Sequence, residues 1–235
     1  MKADRTGRPG TFREWLEYGT GLLKEAGVRE PETDARILME YAAAISRSYY
    51  FLHMHDRMDD ADAELYGSLL RRRARREPVQ YITGEAPFYG NLFTVDTNVL
   101  IPRQDTEILV EEAEKRIREG MRILDLCTGS GCILLSLAKR HAITALGSDR
   151  SAAALAVAEK NRKRLGVRAS WIESDLFSRI KGSFDMILSN PPYIASSVLS
   201  GLDPEVKDHE PYMALDGGPE GTAYLQKIIE EAPAY

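Results

Sequence analysis

One short stretch constrains this chain more than any other: Ile123-Leu124-Asp125-Leu126-Cys127-Thr128-Gly129-Ser130-Gly131-Cys132-Ile133. An apolar run of strand length ends in a turn of small residues, and a helical pattern starts at once. The alternation then repeats. Strands are expected at Arg122–Leu126, Ile143–Ser148, Ala169–Glu173 and Phe184–Ser189, with helices at Ile133–Arg140, Ala152–Leu165 and Ala223–Ala232. Strands alternating with helices predict an α/β fold with a parallel sheet and right-handed crossovers. A helix is also expected over residues 105–118, with Ile108, Leu109, Ala113 and Ile117 on one face.

Upstream, the period is helical throughout. Phe12, Trp15, Leu16, Leu22, Leu23 and Ala26 share one face, and Ile37, Leu38, Tyr41, Ala42 and Ile45 share another. Leu65, Leu69 and Leu70 lead into the basic run Arg71 to Arg76, which Pro78 ends. Residues 1–78 are therefore expected to form a small helical bundle, and residues 79–101 a hairpin-like connector. The connector carries β-prone Tyr81-Ile82, Phe88-Tyr89, Leu92 to Val95 and Val99 to Ile101. Residues 102–235 hold the alternating part.

In the glycine loop, Gly129 and Gly131 allow a ligand to approach the backbone. Asp149 follows the next strand, 20 residues beyond Gly129, a spacing that suits a carboxylate gripping a ribose diol. The third glycine of a dinucleotide fingerprint is replaced by Leu134, and no Gly-Lys-Ser/Thr follows, so neither NAD nor a nucleotide-hydrolase phosphate loop is expected. Asp125 before the glycines disfavours phosphate and favours a cationic sulfonium, which points to S-adenosylmethionine. Asp175 stands where it can accept from an adenine amino group.

After the strand Phe184–Ser189 comes Asn190-Pro191-Pro192-Tyr193. Ligands of open parallel sheets lie beyond the carboxyl ends of the strands, so this loop and the glycine loop are expected to face one another. The side-chain oxygen of Asn190 and the carbonyl of Pro191 are two acceptors for the two hydrogens of a planar NH₂ group. Holding both aims the nitrogen at a methyl donor, catalysis by positioning and electrostatics. Pro191 and Pro192 stiffen the loop, and the Tyr193 ring offers a face to a planar substrate.

The net charge of −5, with the alternating part the more acidic, argues against direct nucleic-acid binding. No apolar run reaches the roughly 20 residues that span a bilayer, and Met1 to Gly10 is polar. Cys127 and Cys132 lack a metal-ligand spacing, and their scarcity fits a reducing compartment, so no metal and a cytoplasmic location are expected. Cys132 is expected to be packed and inert, and Arg71 to Arg76 a solvated helix face.

With these residues in view, the chain resembles the HemK/PrmC family, methyltransferases acting on the glutamine of the Gly-Gly-Gln motif of peptide chain release factors. The resemblance rests on Pro78 to Glu85 with Phe88-Tyr89-Gly90, on Leu100-Ile101-Pro102-Arg103-Gln104-Asp105-Thr106-Glu107, on the glycine loop, on Asn190 to Tyr193, and on Glu205 to Pro211 with Ala214 to Gly218 and Gly221. It implies a Rossmann-like class I methyltransferase sheet, lacking its last strands, behind an N-terminal helical domain that recognises the substrate. It implies cofactor contacts at Cys127, Thr128, Gly129, Ser130, Gly131, Asp149, Leu176 and Asn190, with release-factor contacts at Asn190, Pro191, Pro192 and Tyr193. Cys127 stands where the family usually has glycine. The activity implied is transfer of a methyl group to the glutamine side-chain nitrogen. Two alternatives stay open: an amino methyltransferase of adenine or cytosine, and a binding module that keeps the fold without turnover.

Overall fold

The structure, a computed structural model, describes residues 9–235, so the polar start lies in large part outside the described residues. The chain divides into two compact units, the first ending at Thr83 and the second spanning Gly84–Tyr235.

The first unit is helical: α1 Phe12–Glu25, α2 Pro31–Ala42, α3 Arg47–His53, α4 Asp60–Ala74 and α5 Val79–Thr83. Four of the five starts have a local cause. At α1 the Thr11 hydroxyl accepts from the Glu14 N–H, and the Glu14 carboxylate accepts from the Thr11 N–H at 3.1 Å, a reciprocal capping box. Pro31 opens α2, and Ser46 and Asp59 cap α3 and α4. Leu23, Leu38, Met39, Tyr66 and Leu70 are fully buried between them. Gly19 is required there, because a Cβ would lie 2.2 Å from the Tyr66 hydroxyl.

Two sequence expectations change in this unit. Tyr81 and Ile82 are buried in α5 rather than in a strand, since tertiary burial overrides their β propensity. The basic run is also not simply a solvated face. Arg73 is buried, and its Nε donates to Asp34 at 2.7 Å, while Arg72 pairs with Glu77.

The second unit opens with a hairpin, β1 Glu85–Phe88 against β2 Asn91–Thr94. Its two-residue turn, Tyr89-Gly90, has φ of +47° and +70°, the left-handed pair that matches strand twist. Next come α6 Glu107–Glu114, β3 Arg122–Leu126, α7 Cys132–Arg140, β4 Thr144–Asp149, α8 Ala152–Leu165, β5 Ser170–Glu173 and β6 Met186–Ser189. Short helices α9 Pro204–Lys207 and α10 Tyr212–Leu215 precede α11 Ala223–Glu231. The four strands β3 to β6 pair in parallel in the order β5-β4-β3-β6. Ile123, Val110, Leu134 and Leu137 fill one face of this sheet, and Leu124, Leu126, Phe177 and Ile180 the other.

That order positions the site. The chain winds outward from β3 through β4 to β5, then returns to the far side of β3 as β6. Leu126 stands opposite Ser189 in the β3–β6 register. The next residues, Cys127 and Asn190, therefore leave the sheet side by side at the point where the winding reverses, which is where such sheets bind ligands. Among the described residues, no helix is long and apolar enough to cross a membrane.

Candidate active site

A cleft of about 480 Å³ opens at the carboxyl ends of these strands. Cys127, Thr128, Gly129, Ser130, Asp149, Asp175, Leu176, Asn190 and Pro192 all line it. The glycine loop turns there through left-handed conformations at Cys127 (φ +57°), Gly129 (+54°) and Gly131 (+78°). It is held from below by the Thr128 N–H donating to the Ser148 carbonyl at 2.9 Å. A Cβ on Gly129 would meet nothing within 4 Å, so it would project into open cleft. Gly131 does not line the cleft. A Cβ there would crowd Leu135, Trp171 and Ala158 at 3.0–3.3 Å, so its role is close packing of the loop onto α7 and α8.

Asp149 keeps its place at the end of β4 through two backbone donors. Oδ2 accepts from Gly129 at 2.9 Å and Oδ1 from Ser151 at 2.9 Å. Burial raises its pKa above the ordinary carboxylate value, and these N–H groups oppose the rise. Each oxygen has a lone pair left, so the carboxylate can still accept from a ligand. Asp175 is exposed at the cleft edge. Leu176, at φ +47°, is fixed by the Ser174 hydroxyl donating to its carbonyl at 2.8 Å.

Asp125 differs from its expected role. It is fully buried on the sheet face toward α7, below the loop, and does not line the cleft. The Thr128 hydroxyl donates to its Oδ2 at 2.5 Å, and its Oδ1 has no partner among the described residues. Burial pushes its pKa up to about 7, so it is no fixed counter-charge for a sulfonium. An unfolded carboxyl titrates near pH 4, whereas this one keeps its proton in the folded state until about pH 7. Its contribution to stability is therefore complete below pH 4 and is lost as the pH rises to 7. We expect the unfolding free energy to fall across that window by on the order of 4 kcal/mol more than in Asp125→Asn, as read by urea titration. Equal pH slopes in the two proteins would contradict this.

The Asn190 loop is built by long-range contacts. Asn190 Nδ2 donates to the Thr106 hydroxyl at 3.3 Å, which leaves Oδ1 as the acceptor end of the amide. Pro192 lines the cleft, Pro191 is buried outside its lining, and Tyr193 is 60% exposed and also outside it. The loop is backed by the glycine turn that follows α10. The Ile194 N–H donates to Leu215 at 3.1 Å, and the Gly217 N–H returns to Ile194 at 2.8 Å.

Pro102 to Glu107 belongs to the stretches that carry the family resemblance, and nothing in its local pattern says what it does. In the structure its side chains join three separate segments. Arg103 donates to both oxygens of buried Glu210 at 2.6 and 2.7 Å, Thr106 accepts from Asn190, and Glu107 accepts from the Tyr89 N–H at 2.7 Å. The partners lie 107, 84 and 18 residues away, so no local pattern pairs them. Tyr212 and Met213 were also missed. They line the cleft while 63% and 48% exposed, and a helix of four residues is too short to give a periodic signal. Cys132 is buried and Cys127 half-buried in the cleft wall, and desolvation raises each thiol to about 12, which for Cys132 outweighs the helix start.

Comparison with known proteins gives two family matches, the PrmC N-terminal domain over residues 14–84 and the methyltransferase small domain over residues 103–201. A release factor glutamine methyltransferase of Geobacter sulfurreducens is 39% identical over 96% of this chain and 80% of its own length. One of Caulobacter vibrioides is 42% identical over 89% of this chain and 74% of its own. Among solved structures, a ribosomal protein L11 methylase of Lactobacillus delbrueckii is 25% identical with a TM-score of 0.39, covering 60% of this chain and 72% of its own.

Proposed function

From the membership of this chain in the family of release factor glutamine methyltransferases, we infer that its cleft binds S-adenosylmethionine and a release-factor glutamine together. The protein is an S-adenosylmethionine-dependent methyltransferase that modifies the glutamine side-chain nitrogen in the Gly-Gly-Gln motif of release factors. It acts in the cytoplasm, where those factors work. The observation that carries this reading is the strand register. It sets the glycine loop and the acceptor end of Asn190 at neighbouring strand ends, facing one cleft.

The residues fit the cofactor. The glycine loop leaves an open cradle at Gly129, and Asp149 has acceptor capacity beside it for a ribose diol. Cys127 to Ser130, Asp175 and Leu176 complete the surround, with Gly131 supporting the loop from behind. The bound cofactor supplies an electrophilic methyl group on sulfur.

The chain's own residues prepare the nucleophile. An amide nitrogen is weak because its lone pair is shared with the carbonyl. Oδ1 of Asn190 accepts one N–H, and the Pro191 carbonyl is the proposed second acceptor. With both hydrogens held, the nitrogen cannot rotate away, and charge developing on it is stabilised by oxygens already in place. Pro192 walls the cleft, and the exposed Tyr193 ring meets the incoming loop. Glycines flanking the target glutamine allow that loop to enter backbone-first.

Two outcomes follow. Asp149→Ala should weaken S-adenosylmethionine binding by about 1.5–3 kcal/mol, read by calorimetry with the fold intact. Unchanged affinity would remove Asp149 from the site. A release factor whose target glutamine is replaced by glutamate should take no methyl group. Transfer to adenine or cytosine of a nucleic acid, with none to release factor, would favour the base-methylating reading.

A further inference from the structure

We propose that Thr106 is a positioning residue, which fixes the Asn190 amide with its oxygen toward the substrate and its NH₂ away. This rests on the reading of Asn190 as the acceptor for the glutamine N–H. A primary amide has two chemically opposite ends of nearly equal size. Turned by half a rotation, Asn190 would present donors to a substrate group that itself offers only donors. A substrate N–H requires Oδ1, and the hydroxyl of Thr106 then holds the other end of the amide by accepting from Nδ2, as it does here at 3.3 Å.

Thr106 is itself held. It ends the turn Gln104–Thr106, and its N–H donates to the Arg103 carbonyl at 3.0 Å. Arg103 is clamped by the Glu210 carboxylate, whose side chain is 1% exposed. The following Glu107 carboxylate is fixed by the Tyr89 N–H. The hydroxyl therefore stands on a turn anchored at both ends, which a water molecule in its place would not reproduce. Thr106 also lines the cleft, so its contact with Asn190 lies where the substrate enters.

The test uses the full chain with a release factor and saturating S-adenosylmethionine, comparing wild type with Thr106→Val and Thr106→Ser. Valine keeps the shape and removes the hydroxyl, whereas serine keeps the hydroxyl. We expect Thr106→Val to lower kcat about tenfold, the worth of one neutral hydrogen bond, with KM for release factor and cofactor affinity unchanged. Thr106→Ser should restore most of the rate. On an Asn190→Ala background Thr106→Val should have no further effect, because there is no amide left to orient. Thr106→Ala, which adds no bulk, should show the same tenfold loss, so the missing hydroxyl is read without any disturbance that valine brings to the turn. The proposal is overturned if Thr106→Val turns over like wild type, if serine is as slow as valine, or if the loss persists undiminished on Asn190→Ala. A wild-type protein that binds cofactor yet leaves release factor unmethylated overturns the functional reading, and the proposal with it.

Discussion

Asn190→Ala is expected to lower kcat by roughly 10²–10³, the usual effect of deleting one preorganised polar group that faces developing charge. The loss should fall on turnover rather than on KM, because orientation of the nitrogen matters most in the transition state. Asn190→Asp separates acceptor from amide. It keeps an oxygen for the substrate N–H, so its turnover should lie between wild type and alanine. Its added charge lies near the sulfonium and should hold or tighten cofactor binding. Circular dichroism confirms the fold, and single-turnover rates give the order. An alanine variant as fast as wild type would contradict the two-acceptor account.

Gly217→Ala should be nearly as damaging, although Gly217 is not in the cleft lining. A Cβ there would stand 2.7 Å from the Gly221 carbonyl, 2.7 Å from the Tyr193 Cα and 2.9 Å from the Gly221 Cα. All three are backbone atoms, so no side chain can swing aside, and the Asn190–Tyr193 loop must shift. A displacement of about 1 Å in a positioned reacting group costs on the order of 10² in rate. S-adenosylmethionine affinity should be nearly unchanged, because the glycine loop and Asp149 sit on other strands. Gly201→Ala is the control, since a Cβ there meets nothing within 4 Å. Equal rates for Gly217→Ala and wild type would mean that the glycine turn does not hold the loop.

These two positions also mark what the sequence revealed and what it withheld. Asn190, Asp149 and the glycine loop were legible because each follows an apolar strand directly. Strand ends of a parallel sheet converge whatever the rest of the chain does. Asp125 was legible as a residue but misread in role. β3 is covered on both faces, so a residue within it is buried in the sheet rather than presented to the cleft. Gly217 gave no hint of its partner, because the close approach to Tyr193 forms only after the loop folds back from Leu215 to Ile194. Helix α3 escaped for a different reason. It is seven residues long with only Tyr50 buried, too short for a period to show.

The Arg103–Glu210 pair illustrates the same limit. Two residues 107 apart in the chain bring the cleft wall and the loop before α10 together, and desolvation raises the Glu210 pKa while Arg103 opposes the rise. Neither residue carries a local signature of that role. The family resemblance flagged the stretches, and the structure supplies the physical reason for them.

The most direct measurement is mass spectrometry of a release factor after incubation with this protein and S-adenosylmethionine, with fragmentation to place the added group. The account predicts one methyl group on the side-chain nitrogen of the glutamine in Gly-Gly-Gln, and its loss with Asn190→Ala. A release factor left unmodified by a protein that binds the cofactor, or a methyl group carried on any other residue, would contradict it.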